Sequence, residues 1–140
     1  MKLQKSIEIF HPQLLDKTAV RDEDGSLRWV YTNALEKSSS FNLGMSHGLA
    51  STISILCKFA KNKRFAPKSK ELLLGAVRYI LKNKSENPDS YSCFPNSIAL
   101  ENNESTKLKG SRLAWCYGDL GIGYSLLEAS DILNNKIIKK

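Results

Sequence analysis

The sequence lacks the features that mark membrane proteins, secreted proteins and small disulfide-stabilised domains. Its unbroken apolar runs, such as residues 72–74, are far shorter than the ~20 residues needed to span a bilayer. The polar opening at residues 1–6 has no signal-peptide apolar core. The three cysteines, Cys57, Cys93 and Cys116, are odd in number and unrelated in spacing. We therefore expect no disulfide framework and a reducing, cytoplasmic location.

Acidic residues are scarce relative to basic ones. The 140 residues contain 14 Asp and Glu against 21 Lys and Arg, which gives a net charge of +7. Residues 61–86 alone contribute +6 of this excess. Because no zinc-finger spacing, RNP-type aromatic strand or helix-turn-helix pattern accompanies this segment, we expect a solvated lysine-rich helix face and no nucleic acid partner.

Three segments have the apolar periodicity of helices. Residues 49–60 are apolar around most of the circumference, which predicts a buried helix. A second helix is predicted from Pro67, with Leu73, Ala76, Val77 and Ile80 facing inward, and a third from Gly121 to Leu133. Gly48-Leu49 and Gly121-Ile122 begin two helices alike, 73 residues apart, as in a helical repeat. The expected fold class is mainly α, built from helical hairpins as a segment of a helical repeat or of an α/α toroid.

The remaining segments are irregular. Asp24-Gly25 precedes the alternating residues Leu27, Trp29 and Tyr31, which predicts a small hairpin or an extended lid within an otherwise unassigned region, 1–40. A long polar connection is expected between the second and third helices, with at most a short strand near residues 91–94. A connection of this length is often functional.

The first candidate for chemistry is His47, within Gly44-Met45-Ser46-His47-Gly48. Ser46 is suited to cap the following helix, which would place His47 at its first turn. The positive end of the helix dipole disfavours imidazolium, which leaves a neutral histidine able to exchange protons. The alternative is a structural or simply exposed histidine.

The second candidate is Cys116, within Arg112-Leu113-Ala114-Trp115-Cys116-Tyr117-Gly118. A helix N-terminus and the nearby Arg112 both favour the thiolate, which suits a nucleophile or a metal ligand. The alternative is a buried cysteine packed beside Trp115. Cys57 lies on an apolar helix face and is expected in the core, and Cys93 has no assigned role.

The two motifs together resemble those of the lanthionine synthetase C family, the LanC-type cyclases of lantibiotic biosynthesis. GMSHG precedes RLAWCYG, and 69 residues separate His47 from Cys116. The resemblance covers roughly residues 41–134, so residues 41–140 are expected to be a partial toroid domain.

The resemblance implies an α/α toroid with a zinc ion at one end. Family members add cysteine thiols of a dehydrated precursor peptide to dehydroalanine or dehydrobutyrine, which forms thioether rings. Cys116 matches the first zinc ligand, His47 a histidine proposed for proton transfer, and Arg112 and Tyr117 their active-site neighbours. A dehydratase and transporter complex is an implied partner. The zinc ion would deliver the substrate thiol as thiolate.

The sequence also departs from the family pattern. The two other zinc ligands come from a Cys-His-Gly motif, and no Cys-His pair occurs here. His11, Cys57 and Cys93 all precede Cys116, which is the wrong order. The family's acidic active-site residue could correspond to Asp16, Asp22 or Asp24 by position only. Asp119 stands where many members have proline, which we interpret as a subfamily difference.

Two hypotheses follow from these motifs. The first is an incomplete segment of a LanC-like cyclase, inactive on its own, whose remaining portions lie outside the 140 residues. The second is a non-catalytic helical fragment of the same fold that binds a peptide without metal, using the basic segment 61–86.

Overall fold

The computed structural model describes residues 12–35, 37–100 and 111–134, which form four helices and five short strands. The helices, numbered in chain order, are α1 (Pro12–Thr18), α2 (Leu49–Ala60), α3 (Ala66–Lys82) and α4 (Asp119–Leu133). The strands are β1 (Val20–Arg21), β2 (Leu27–Arg28), β3 (Tyr31–Asn33), β4 (Ser38–Asn42) and β5 (Ser97–Ala99). The described chain is therefore mixed in content, so the expected mainly α fold is confirmed for its helices and corrected by its strands.

The core of the described chain lies between α2, α3 and α4. A tight turn joins α2 to α3 as a helical hairpin, in which the Phe65 N–H donates to the Asn62 carbonyl at 3.0 Å. The rings of Phe59 and Phe65 meet edge to face across this turn, with centroids 5.7 Å apart. Helix α4 packs mainly on α2. The fully buried side chains include Ile53, Leu56, Leu72, Leu73, Ile80 and Ile122.

The three predicted helices are all present. The helix at 49–60 has the predicted bounds, and α3 begins at Ala66 with Pro67 in its first turn, where the missing proline N–H has no helical partner to lose. The four residues of α3 predicted to face inward are buried. Helix α4 begins at Asp119, two residues before the predicted Gly121. It ends at Leu133, and the next residue, Asn134, has the left-handed backbone conformation that is common after a helix.

The predicted hairpin after Asp24-Gly25 is also present. β1 pairs antiparallel with β2, and the turn between them is stabilised by the Gly25 N–H, which donates to the Asp22 carbonyl at 3.0 Å. A second, antiparallel sheet has the order β3-β4-β5. The predicted strand near residues 91–94 is wrong, because the strand of this connection is β5, at residues 97–99. There Ile98 pairs with Phe41, so both side chains are buried in the core.

Strand register decides which side chains of this sheet face away from the core. Tyr31 pairs with Ser40, and Ser40 pairs with Ala99. Successive side chains of a strand point to opposite faces. Because Phe41 belongs to the core face, Ser40 and Asn42 lie on the other face, together with Tyr31. β4 then continues directly into the glycine loop that precedes α2.

Candidate functional site

The loop that contains His47 is held by the end of β4. The Asn42 side-chain oxygen accepts the Gly44 N–H at 2.8 Å, and the Ala50 N–H donates to the Leu43 carbonyl at 3.2 Å. A Cβ at Gly48 would overlap the Asn42 backbone, so this approach requires glycine. His47 is exposed and directly precedes the N-cap of α2.

The expected helix cap is wrong. Gly48, not Ser46, is the N-cap residue of α2, and no side chain caps the helix. The close approach of Gly48 to Asn42 moves the cap two residues beyond the serine, so Ser46 stays exposed in the loop. The backbone N–H groups of the first turn of α2 therefore have no side-chain oxygen from Ser46.

The loop that contains Cys116 closes on itself before α4. Arg112 and Gly118 form a β-bridge, and the Asp119 N–H donates to the Arg112 carbonyl at 3.2 Å. A Cβ at Gly118 would overlap that same carbonyl oxygen. The closed loop leaves Arg112 and Cys116 exposed and Tyr117 half-buried.

The two loops pack against each other, which brings the two motifs together. The Ser46 N–H donates to the Cys116 carbonyl at 3.2 Å. The His47 and Tyr117 rings lie 6.1 Å apart between centroids, tilted by 47°. A side chain at Gly44 would overlap the Cys116 carbonyl, so glycine is needed for this contact. His47, Cys116 and Tyr117 are thus neighbours, and Arg112 lies at the other end of the Cys116 loop.

The helices after the two loops begin in the same way. Gly48 and Gly118 are both extended N-cap residues without a side-chain cap. The Thr52 N–H donates to the Gly48 carbonyl at 3.3 Å, and the Ile122 N–H donates to the Gly118 carbonyl at 3.2 Å. The structural repeat therefore has an offset of 70 residues, and the predicted pairing of Gly48 with Gly121 is wrong by three.

Two aromatic rings flank His47. In addition to Tyr117, Tyr31 of β3 stacks on the imidazole with ring centroids 5.5 Å apart and planes 15° from parallel. The sequence pattern predicts a strand that contains Tyr31 but does not indicate that this residue belongs to the site. Alternation along the strand could have suggested its face, but only the β3-β4 register places it beside His47.

Asp119 joins the start of α4 to the connection that follows α3. Its carboxylate accepts the N–H groups of Cys93 and Phe94 at 2.6 and 3.1 Å and the Ser111 hydroxyl at 3.3 Å. A carboxylate in the first turn of a helix also interacts favourably with the helix dipole. By sequence, Asp119 is a subfamily difference at a position where many members have proline; in the structure it links residues 93–94 to α4.

The candidate acidic residues are all engaged by basic side chains. Asp16 pairs with Arg21 and Lys68. A hydrogen bond from Arg28 lowers the pKa of Asp22 from 3.8 to about 2, and Lys82 contributes further. Hydrogen bonds from Ser26 lower the pKa of Asp24. Each of these carboxylates is therefore paired with at least one basic side chain.

The cysteines do not form a metal site with other side chains of the described residues. All three cysteines are free thiols, and Cys57 is buried as predicted. Burial raises the pKa of the Cys57 thiol to about 12, so it remains protonated. No group of three His, Cys, Asp or Glu side chains suited to a metal occurs among residues 12–35, 37–100 and 111–134. His11 lies outside these ranges.

The basic segment is partly neutralised by acidic neighbours. Lys68 pairs with Glu71 and Asp16, and its hydrogen bond with Glu71 raises the pKa of Lys68. Lys82 pairs with Asp22 and Asp24. The predicted inward face of α3 is confirmed, and Arg78 and Lys82 are exposed, in agreement with the expected solvated face of this helix.

Comparison with known proteins identifies the family. The sequence matches the family model described as lanthionine synthetase C-like protein over residues 7–140. The chain belongs to this family, and the match extends further toward the N-terminus than the two motifs did. No curated protein matches the chain. Among the described residues, no helix is both long and apolar enough to cross a membrane.

Proposed function

We propose that the chain supplies part of the active site of a LanC-type cyclase, which forms thioether rings in a dehydrated precursor peptide. The observation that carries this proposal is the contact between the two glycine loops. It joins the GMSHG and RLAWCYG motifs through the Ser46–Cys116 hydrogen bond and the His47–Tyr117 ring contact. Family membership supports the same reaction class.

The reaction adds a peptide cysteine thiol across the carbon–carbon double bond of dehydroalanine or dehydrobutyrine. The sulfur bonds to the β-carbon, and the electron pair of the double bond moves toward the carbonyl as an enolate. The thiol proton is removed, and a proton is added at the α-carbon, so no atom is gained or lost. The protein therefore needs a proton donor beside the α-carbon and a positive group beside the enolate oxygen.

His47 is the group that we assign to proton transfer. Its side chain is exposed, so a peptide bound at the glycine loops can reach the ring. An imidazole can give and accept protons near neutral pH, which suits a step that both consumes and releases one.

Arg112 and Tyr117 are assigned to substrate binding. Arg112 carries a permanent positive charge and is exposed at the rim of the closed loop, where it suits a peptide carbonyl that gains negative charge. Tyr117 is half-buried beside His47, and its hydroxyl can donate a hydrogen bond to the peptide.

The described residues do not by themselves fit the family's zinc ion. A catalytic zinc site has three protein ligands as a rule, and Cys116 is the one matching donor among the described residues, which contain no three-residue group. The described residues therefore supply one of the proposed zinc ligands, the exposed Cys116 thiol. Its other ligands would have to come from outside the described residues.

Three further elements of the proposal concern the whole protein. The α2–α3 hairpin followed by α4 supports a toroid built from helical hairpins within residues 41–140, while residues 1–40 stay unassigned apart from their hairpin. The free thiols support a reducing, cytoplasmic location. The precursor peptide, and a dehydratase and transporter complex, are the proposed partners.

The test is a cyclisation assay on the natural full-length protein with a dehydrated precursor peptide and zinc. Because ring formation does not change the peptide mass, rings are counted as thiols that no longer react with N-ethylmaleimide. We expect His47→Asn to lower kcat by about a hundredfold or more. Cys116→Ala is expected to abolish turnover together with one equivalent of bound zinc.

Cys93→Ala is the matched control. Cys93 is also an exposed thiol, but its hydrogen bond to Asp119 uses the backbone N–H, which alanine retains. We expect this variant to cyclise the peptide at the wild-type rate. Wild-type protein that loads zinc but leaves all peptide thiols reactive would refute the cyclase proposal, and loss of activity equal to Cys116→Ala in the Cys93 variant would refute the assigned site.

A further inference from the structure

We propose that Tyr31 is a positioning residue that holds the His47 imidazole by stacking on it. This inference rests on the proposed function for its consequence, because the imidazole is the proposed proton donor. It rests on separate evidence for its geometry, namely the 5.5 Å centroid distance and the 15° angle between the two rings.

The register of the sheet places Tyr31 beside the site. Tyr31 lies opposite Ser40, which lies opposite Ala99 in β5, so its two cross-strand neighbours on that face are small. Small neighbours leave room for the tyrosine ring to lean toward the loop that β4 enters. That loop begins at Asn42, two residues after Ser40, and carries His47.

The two flanking rings restrict the imidazole in different ways. Tyr31 is nearly parallel to it, whereas Tyr117 is tilted by 47° and more distant at 6.1 Å. A parallel neighbour covers one face of the ring and opposes rotation about the bond between Cβ and the ring, because rotation would break the stacked contact. Because His47 is exposed, part of the residue remains accessible to a substrate.

This arrangement has a chemical purpose. Proton transfer requires a nitrogen atom at a set distance and direction from the α-carbon, and small misplacements lower rates strongly. His47 lies in a glycine-flanked loop rather than in a helix, so its backbone alone restricts the side chain weakly. Tyr31 supplies the missing restraint from a hydrogen-bonded strand.

The first measurement detects the stack without any activity. In the full chain, histidine labelled with ¹³C at Cε1 gives one signal per histidine, and the signal that His47→Gln removes belongs to His47. A stacked ring shifts this signal upfield by its ring current. We expect Tyr31→Phe to retain the upfield shift and Tyr31→Leu to lose it, whereas Thr32→Val, on the opposite face of the same strand, leaves it unchanged.

The second measurement tests the consequence in the cyclisation assay. We expect Tyr31→Leu to lower kcat by about ten- to a hundredfold with KM within about twofold of wild type. Tyr31→Phe should restore kcat, because stacking needs the ring and not the hydroxyl. The split between kcat and KM separates positioning from peptide binding, and rescue by phenylalanine separates it from proton donation by the tyrosine.

The outcomes distinguish this inference from the proposed function. An unchanged His47 signal in Tyr31→Leu, or a Tyr31→Leu variant with wild-type kcat, overturns the positioning role. Loss of kcat in Tyr31→Phe overturns it too, since the hydroxyl would then matter. A stacked His47 signal in wild-type protein that forms no thioether refutes the cyclase proposal and, with it, the catalytic purpose of the stack, while the geometric restraint stands on the spectra.

Discussion

At the scale of single residues, the surroundings of two nearby glycines predict opposite effects of the same substitution. A Cβ at Gly118 would overlap the Arg112 carbonyl oxygen, whereas a Cβ at Gly123 meets no atom within 4 Å. Gly118→Ala must therefore open the closed loop, and we expect a loss of about 1–3 kcal/mol or more in the free energy of unfolding. Gly123→Ala should add about 0.5–1 kcal/mol, because alanine favours a helix interior.

Urea unfolding of the two variants measures both effects. Each variant adds one methyl group, so Gly123→Ala is the matched control for Gly118→Ala. Equal stability of the two would contradict the close approach of Gly118 to Arg112. Destabilisation by Gly123→Ala would contradict the open space at the exposed side of α4.

Asp22 predicts an acid-sensitive contribution to stability. Its pKa falls from 3.8 to about 2 in the folded chain, chiefly through the hydrogen bond from Arg28. A lowered carboxyl pKa stabilises the fold above the unfolded value, and this contribution is lost as the pH falls from about 4 toward 2. Because Asp22 is partly exposed, solvent screening reduces the contribution to about 1 kcal/mol.

The Asp22→Asn variant tests this pH dependence. Near pH 7 it should be less stable than wild type, because Arg28 loses its charged partner. The Arg28 guanidinium lies over the rings of Phe41 and Tyr79. Urea midpoints measured at pH 7, 4 and 2 should show the gap between the two proteins closing at low pH. A gap that stays constant with pH would contradict the lowered pKa.

At the scale of elements, Asp119 joins the connection after α3 to the start of α4. Asp119→Ala removes the acceptor for the N–H groups of Cys93 and Phe94. We expect amide hydrogen exchange at these two residues to accelerate by about tenfold or more, since a hydrogen bond to a charged group is worth about 1.5 kcal/mol or more. The stability of the α2–α3 hairpin should change less.

A matched control exists in the same connection. Asp89→Ala also removes an exposed carboxylate, but the hydrogen bond of Asp89 to the Asn87 side chain uses the backbone N–H, which alanine retains. This variant should leave exchange at Cys93 and Phe94 unchanged. Equal acceleration in both variants would show that the connection loosens whenever charge is removed, and the anchoring role of Asp119 would be wrong.

Helices α2, α3 and α4 were predictable because each carries its own signal, whereas α1, which has seven residues and only Pro12 buried, was not predicted. Apolar spacing marked the buried faces of α2 and α3, and Pro67 marked the first turn of α3. The strands were less predictable, since β5 has three residues and is selected by pairing with β4 rather than by its own composition. The cap at Gly48 was missed because its close approach to Asn42 is a contact between elements.

At the scale of the whole molecule, α4 is apolar on two sides. One side is buried with Ile122 fully enclosed, and the other exposes Leu120, Tyr124 and Leu127. With the 70-residue offset, Leu120 and Leu127 correspond to Ala50 and Cys57, which are buried in α2. The proposed toroid would cover this side of α4 with a further helix, as α2 is covered.

Two substitutions on α4 test whether its second side is open in the 140-residue chain. Ile122→Ala should cost about 2–5 kcal/mol, because it leaves a cavity in the core. Leu127→Ala should change stability by less than about 0.5 kcal/mol, because Leu127 is 52% exposed. Leu127→Ala should also reduce binding of the dye ANS to the chain. A large cost for Leu127→Ala would show that the side is covered.

Local sequence patterns were sufficient to predict α2, α3 and α4, the turn at Asp24-Gly25, the buried Cys57 and the two motifs that indicate the family. These features depend on local spacing and on residue type, which a linear pattern records. The tertiary structure decided which residues meet. The stacking of Tyr31 on His47, the hydrogen bonds of Asp119 to residues 93–94 and the contact between the two glycine loops all join segments distant in sequence. Their partners are selected by strand register and helix packing, because pairing and burial are properties of the assembled chain and not of any one segment.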